Sequence, residues 1–288
     1  MPKEQKYSAV WYAVAILAAF NLAVWSGVLG AQGRDYTRFE VFDIGQGDAV
    51  YIRTVSGNDI LVDGGPGDAV LSKLGRALPY GDRNIELVIL THPHADHVSG
   101  LVEVLKRYRV DMIMLPEVEY TTATYDAFLN LIKEKNIAVV QPKLGQRIFL
   151  DDSNVLDILY PIVGHFAHAP TDINDSSIVA RLSFGQSRVL LTGDAGKDIE
   201  NFLIGAGLPF SADILKVGHH GSRHSTGQSF VDTARPAYAV ISVGKNSYGH
   251  PHGEALAALE KGGTQVLRTD EHGDISFRIY RDRVLLND

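Results

Sequence analysis

Residues 91–100 read THPHADHVSG and place three histidines and an aspartate within the six positions His92 to His97. The apolar run ELVILTH leads into them with strand character, and a helix-like pattern over 97–108 follows. The stretch is therefore a strand-to-helix junction. Pro93 blocks an early helix and keeps the first half extended. In extended chain His92 and His94, two apart, face the same way and can grip one ion together. Asp96 and His97 fall at the helix start, where a carboxylate also suits the exposed amides. Diverging from that point, the pair can reach a second ion nearby. The chain has no cysteine, so disulfides and thiolate sites are excluded. Imidazole and carboxylate are what remain to hold zinc, manganese or iron.

Before the junction, RFEVFDI, AVYIRTV and DILVDGG read as strands parted by GQG and SGN turns, and GDAVLSKLGRALP reads as a helix. After it come the strand DMIMLP, a helix over 121–136 and the strand AVVQP. QRIFLD, VLDILY, SIVARLSFG and SRVLLTGD are strand-like, followed by a helix near 196–206 and the strand ADILKVGHH. Further alternation runs to DISFRIYRD. Two strand-rich halves with helices predict an α/β fold in which two sheets pack together under outer helices, a four-layer αββα sandwich.

HPHADH matches the HxHxDH signature of the metallo-β-lactamase superfamily. Together with FEVFDIGQGDAV, ILVDGG, LLTGD and LKVGHHGS, it makes residues 38–288 resemble the metallo-β-lactamase-like domain of ComEC-type competence proteins. The resemblance implies that Asp194, at the end of LLTGD, bridges two metals. It implies that His219 or His220 completes the second metal's shell, with His220 favoured and its neighbour set to hydrogen-bond a substrate oxygen. The third histidine usual for the first metal is missing, and its position falls on Asn174 in INDSS. ComEC-like domains share this substitution, which leaves the first ion weakly held or open to water. His165 and His168 lie nearby in a Pro- and Gly-flanked loop and suit surface roles.

Asp63 in LVDGG is placed to orient a ligand histidine, and Gln46 and Asp48 in GQGDA form a tight turn that can approach the same edge. Lys216, Ser222 and Arg223 flank the paired histidines and could neutralise a phosphate. In SYGHPHG (247–253), His250 is a substrate-side or alternative metal residue. Asp96, Asp194 and His219 are the expected catalytic groups, with a hydroxide held by the metals as nucleophile.

At 288 residues, 45% hydrophobic and 21% charged, the chain has ample material for a core. A formal charge of −7 argues against a nucleic-acid binder that works through a broad cationic surface. It leaves open an enzyme that meets phosphate through metal ions. Residues 8–31 carry no charged group and as a helix would extend roughly 36 Å, enough to cross a membrane. Lys3 and Lys6 before them favour a cytoplasmic N-terminus, and Trp11, Tyr12 and Trp25 suit the two interfaces. VLGA offers the alternative of a cleaved signal peptide.

These features predict a membrane anchor and linker over 1–37 and a hydrolase domain over 38–288 outside the cytoplasm. The expected cofactors are two divalent ions, Zn²⁺ or Mn²⁺, and the expected substrate is a phosphodiester or nucleic acid, with no protein partner evident. A phosphorylcholine or lactone hydrolase, or a catalytically silent tethered binding module, are the alternatives.

Overall fold

The computed structural model describes residues 10–22, 35–162 and 172–287. The chain divides into two units, Met1–Asp35 and Tyr36–Asp288. In the first, a helix α1 covers residues 10–22, with Trp11, Ile16, Phe20 and Leu22 exposed. At 1.5 Å per residue it is about 20 Å long. Among the described residues no helix is long and apolar enough to cross a membrane. Both ends of the expected 8–31 helix lie outside the described residues, as do His165 and His168.

The second unit has two mixed sheets. The first runs in the order β15 (Val284–Leu286), β14 (Ile275–Ile279), β1 (Thr37–Val41), β2 (Val50–Arg53), β3 (Asp59–Val62), β4 (Asn84–Ile89), β5 (Arg109–Met114) and β6 (Ala138–Val140). The second runs β13 (Gln265–Arg268), β12 (Tyr238–Ile241), β11 (Ile214–Lys216), β10 (Ser187–Leu191), β9 (Val179–Phe184), β8 (Asn154–Tyr160) and β7 (Arg147–Phe149).

Alternation explains the layers. Ile60 and Val62 of β3 join Val189 and Leu191 of β10 in one core shared by both sheets. The residues between them face outward: Leu61 packs with Val70, Leu101 and Phe128, and Leu190 with Ile199, Phe230 and Leu259. Side chains that alternate across a strand and are apolar on both faces need cover on both faces. On the first sheet helices α2 (Ala69–Ala77), α3 (Ala95–Arg107) and α4 (Ala123–Glu134) supply it; on the second, α5 (Lys197–Gly205), α6 (Gln228–Ala234) and α7 (Gly253–Lys261) do. A short α8 (Thr269–His272) follows β13. The result is the αββα sandwich.

Strands β3 to β6 run parallel to one another, and so do β10 to β13. The carboxyl ends of parallel strands are where open α/β sheets expose functional loops. Here both sheets present those ends along one edge of the sandwich, where Ile178 N–H donates to Thr91 O at 3.1 Å and His219 N–H to Gly193 O at 3.2 Å.

Candidate metal centre

Each side chain of the centre sits just beyond one of those strand ends. Asp63 follows β3, Thr91 to His94 follow β4, Asp194 follows β10, His219 and His220 follow β11, and Ser242 follows β12. His94 caps α3 in extended conformation, so the chain turns into the helix only at Ala95, and Asp96 lies in the first turn. Gly47 (φ +142°) lets the 45–48 turn press on that helix start: a Cβ there would sit 2.3 Å from Asp96 O. Gly100 serves the same end deeper in α3, since a Cβ would lie 1.9 Å from Gly64 O. His219 and His220 both adopt left-handed backbone (φ 49° and 53°), uncommon outside glycine. Strained backbone of this kind points to function when the surroundings hold it.

The ring nitrogens are oriented by their partners. Thr91 O–H donates to Asp63 Oδ2 at 2.7 Å, which leaves Thr91 Oγ1 as acceptor for His92 Nδ1–H at 3.1 Å. His97 Nδ1–H donates to the same Asp63 Oδ2 at 2.9 Å, and His220 Nδ1–H to Ser242 O at 2.9 Å. Asp63 therefore governs two histidines, one directly and one through Thr91. All three rings turn Nε2 towards Asp194 Oδ2, at 3.8 Å from His92, 3.4 Å from His97 and 3.6 Å from His220. His220 Nε2 is also 3.4 Å from Asp96 Oδ2, and His94 Nδ1 is 3.1 Å from His92 Nε2.

These separations fit metal. A tetrahedral ion with bonds of about 2.1 Å holds its ligands about 3.4 Å apart. Among the described residues, His97 Nε2, His220 Nε2 and Asp194 Oδ1 are buried and have no hydrogen-bond partner. Native structures leave few such atoms unsatisfied without a reason. A cation held beside Asp194 would give both ring nitrogens a partner. Among the described residues four groups of three are close enough to share an ion, and His92–His97–Asp194 and Asp96–His97–His220 are two of them.

The electrostatics match. Burial alone would depress the His97 and His220 imidazoles, but Asp194, with Asp63 beside His97 and Asp48 beside His220, raises both, His220 to about 10. Burial opposes ionisation of Asp194, and the surrounding rings of His220 and His97 hold it well below the usual carboxylate range. Asp96 likewise falls to about 2 despite burial, through His220 and His97. The negative potential that draws protons to these rings equally draws divalent cations. His92, where burial dominates, is pushed down and stays neutral.

An open cavity of about 360 Å³ adjoins this cluster, and Asp96, Asp194, His219, His220 and His250 line it together with Gln46 and His94. His219 is half-buried and 5.5 Å, ring to ring, from His250. Burial and the neighbouring His219 keep His250 neutral, at about 4. Asn174 is buried in a short turn just before Ser177, and its Oδ1 has no hydrogen-bond partner among the described residues.

Two expectations are corrected. Lys216 does not face the cavity: it is 1% exposed, and its Nζ donates to Asp48 Oδ2 at 2.8 Å and Val217 O at 3.0 Å. Ser222 is buried, and its hydroxyl accepts the His224 N–H within the turn. Apolar residues precede Lys216 on its strand, which carries the lysine inward where a loop position would have freed it. Arg223 is exposed and pairs with His252 Nε2 at 2.6 Å.

Sequence reasoning missed Thr91, Ser177 and Ser242, whose roles depend on contacts between distant segments; Ser177 Oγ accepts the Asp194 N–H at 3.0 Å. It also missed Tyr120 and Tyr248, which line the cavity. An aromatic in each of two polar loops was the available signal.

The model of the metallo-beta-lactamase superfamily matches residues 42–245. The chain is 31% identical to ComE operon protein 3 of Bacillus subtilis, over 85% of this chain and 33% of that protein. It is 28% identical to competence protein ComA of Neisseria gonorrhoeae, over 85% of this chain and 32% of that protein. It thus spans about a third of the length of these relatives. Among solved structures, the metallo-beta-lactamase fold protein YhfI from Bacillus subtilis superposes with a TM-score of 0.57 at 16% identity, covering 84% of this chain and 99% of that one. The chain belongs to the metallo-β-lactamase superfamily, and its domain is of the ComEC type.

Proposed function

We propose that this metallo-β-lactamase-fold chain is a metal-dependent phosphodiesterase that cleaves DNA outside the cytoplasm, held at the membrane by residues 8–31. One observation carries the hydrolytic reading. Buried His97 Nε2 and His220 Nε2, without a hydrogen-bond partner among the described residues, converge on Asp194 Oδ2 at ligand spacing beside an open cavity. His92, His94 and Asp194 would hold one ion, with Asn174 leaving that shell short of a histidine. Asp96, His97 and His220 would hold the other, sharing Asp194. When bound, such ions activate water at neutral pH and offset charge on the attacked phosphate.

The chain's own residues set the stage for that chemistry. Asp63, Thr91 and Ser242 keep each Nε2 lone pair aimed inward, and Ser177 fixes the turn that carries Asp194. Lys216 compensates Asp48 beneath the cluster. His219 and neutral His250, on the cavity wall, can each donate a ring N–H hydrogen bond to a phosphate oxygen. Arg223, beyond the histidine turn, pairs with an imidazole rather than a carboxylate, so its charge is available to a neighbouring phosphate.

Relatives named for competence favour DNA, and the apolar 8–31 run favours a membrane tether. The acidic balance limits affinity for long duplex, because backbone binding needs many cationic contacts. A single strand entering a narrow cleft needs fewer. The test is to load the full chain with Mn²⁺ or Zn²⁺ and offer single-stranded DNA, duplex DNA, a phosphorylcholine ester and a lactone. Metal-dependent cleavage of single strands ahead of duplex is expected. Turnover of lactone or phosphorylcholine ester with DNA untouched would overturn the nuclease reading and leave only the metallohydrolase.

A further inference from the structure

Tyr248 takes no part in the chemistry above, yet it lines the cavity while its side chain is 69% exposed. The loop that carries it is built rather than loose. Asn246 Nδ2 donates to Gly244 O and His250 O at 2.9 Å each, and Asn246 Oδ1 accepts the Tyr248 and His250 N–H groups at 3.0 Å each. That one amide spends its hydrogen bonds on fixing Tyr248 and His250 against the same wall.

The rings form a staircase. Tyr248 lies 5.6 Å from His250 at 31°, His250 lies 6.4 Å from His220 at 35°, and His220 lies 5.5 Å from His97 at 36°. A run of mutually tilted rings thus leads from solvent to the buried cluster. Tyr120, edge-on to His94 at 6.0 Å, adds a second aromatic wall. An exposed aromatic whose backbone is pinned at the mouth of this cavity offers a π-face to a base, and stacking of this kind tolerates any sequence.

Resting on the phosphodiesterase reading, we propose that Tyr248 is the stacking platform for an unpaired nucleobase next to the scissile phosphate. It is thereby the residue that selects single strands and frayed ends. In duplex both faces of a base are already covered by its neighbours, so the platform has nothing to take.

The test compares single-stranded oligonucleotides that are intact or carry one abasic residue at each position flanking the cleaved bond, using the full metal-loaded chain. Wild type should cleave the intact strand with a KM about tenfold below that of one abasic strand, the scale of a single base–aromatic stack. Tyr248→Ala should raise the intact-strand KM to the abasic value at nearly constant kcat, while wild type and variant converge on the abasic strand. Tyr248→Phe should retain the wild-type KM. Equal effects of Tyr248→Ala on intact and abasic strands, or none on either, would overturn the platform and leave the phosphodiesterase reading standing. A wild-type chain that cleaves no oligonucleotide would remove both.

Discussion

The first sheet delivers His92, His94, Asp96 and His97 to the centre from a single six-residue junction, whereas the second delivers Asp194 and His220 from two separate turns. The first set is oriented by side chains, Asp63 acting on His97 directly and on His92 through Thr91. The second is oriented mainly through its own backbone, by a left-handed His219–His220 pair, the Ser242 carbonyl and the Asp194 amide, which donates to Ser177 Oγ, over a buried Lys216–Asp48 ion pair. Damage to the first side should therefore appear in metal affinity, and damage to the second in the stability of the fold. Asp194 belongs to both.

The largest effect is accordingly expected at Asp194. Asp194→Ala should lower kcat/KM by at least about 10³-fold, or about 4 kcal/mol of transition-state stabilisation. Bound metal should fall with it while circular dichroism stays near wild type. Substantial residual activity would mean that the two halves work independently.

Next comes Lys216→Met, which leaves the Asp48 carboxylate buried without its cation. Breaking a buried pair from one side costs about 3–5 kcal/mol, to be read from denaturant unfolding. A loss confined to activity, with unfolding unchanged, would contradict a structural role on the second side.

Asp63→Asn probes the first side. Asp63 sits at φ 59°, which asparagine tolerates, so the backbone should survive the change. Loss of the carboxylate should weaken metal binding by about 10–100-fold, measured by titration of the chelator-stripped chain. Unaltered affinity would detach Asp63 from the centre.

The smallest effect is a pH slope at Glu200 of α5, which accepts the Thr226 and Gly227 N–H groups and pins the loop beyond His220. Burial raises its carboxyl to about 7 from the ordinary 4.5. The folded state therefore binds this proton more tightly than the unfolded state. The resulting stabilisation is complete below the unfolded value and is lost as pH rises through about 7. Unfolding free energy should fall by about 1 kcal/mol between pH 6 and 8, and Glu200→Gln should lack that component. Parallel pH profiles for the two proteins would refute it.

The contrast between the two sides also governs what a reader of the sequence can find. The HPHADH junction is legible because extended-chain and helical periodicities place its side chains without help from elsewhere. The layers are legible because β3 and β10 alternate between apolar residues that need cover on both faces. Partners that meet only when the sheets pack leave no local pattern, so Ser177 under Asp194 and Ser242 under His220 stayed hidden. Lys216 shows the reverse error: beside GHH it reads as a substrate cation, yet the pleat of β11 turns it towards Asp48. Asn174, which stands where the resemblance expects a histidine and is also a candidate beside the metals or the substrate, is buried, and its Oδ1 has no hydrogen-bond partner among the described residues.

The most direct test of a centre shared by both sheets is calorimetric titration of the chelator-stripped full chain with Mn²⁺. Two sites per chain are expected, one tight and one weaker by virtue of Asn174, and both should be severely weakened in Asp194→Ala. Stoichiometry near zero for the wild type would contradict the account, because the buried ring nitrogens that converge on Asp194 would then have no ion to hold.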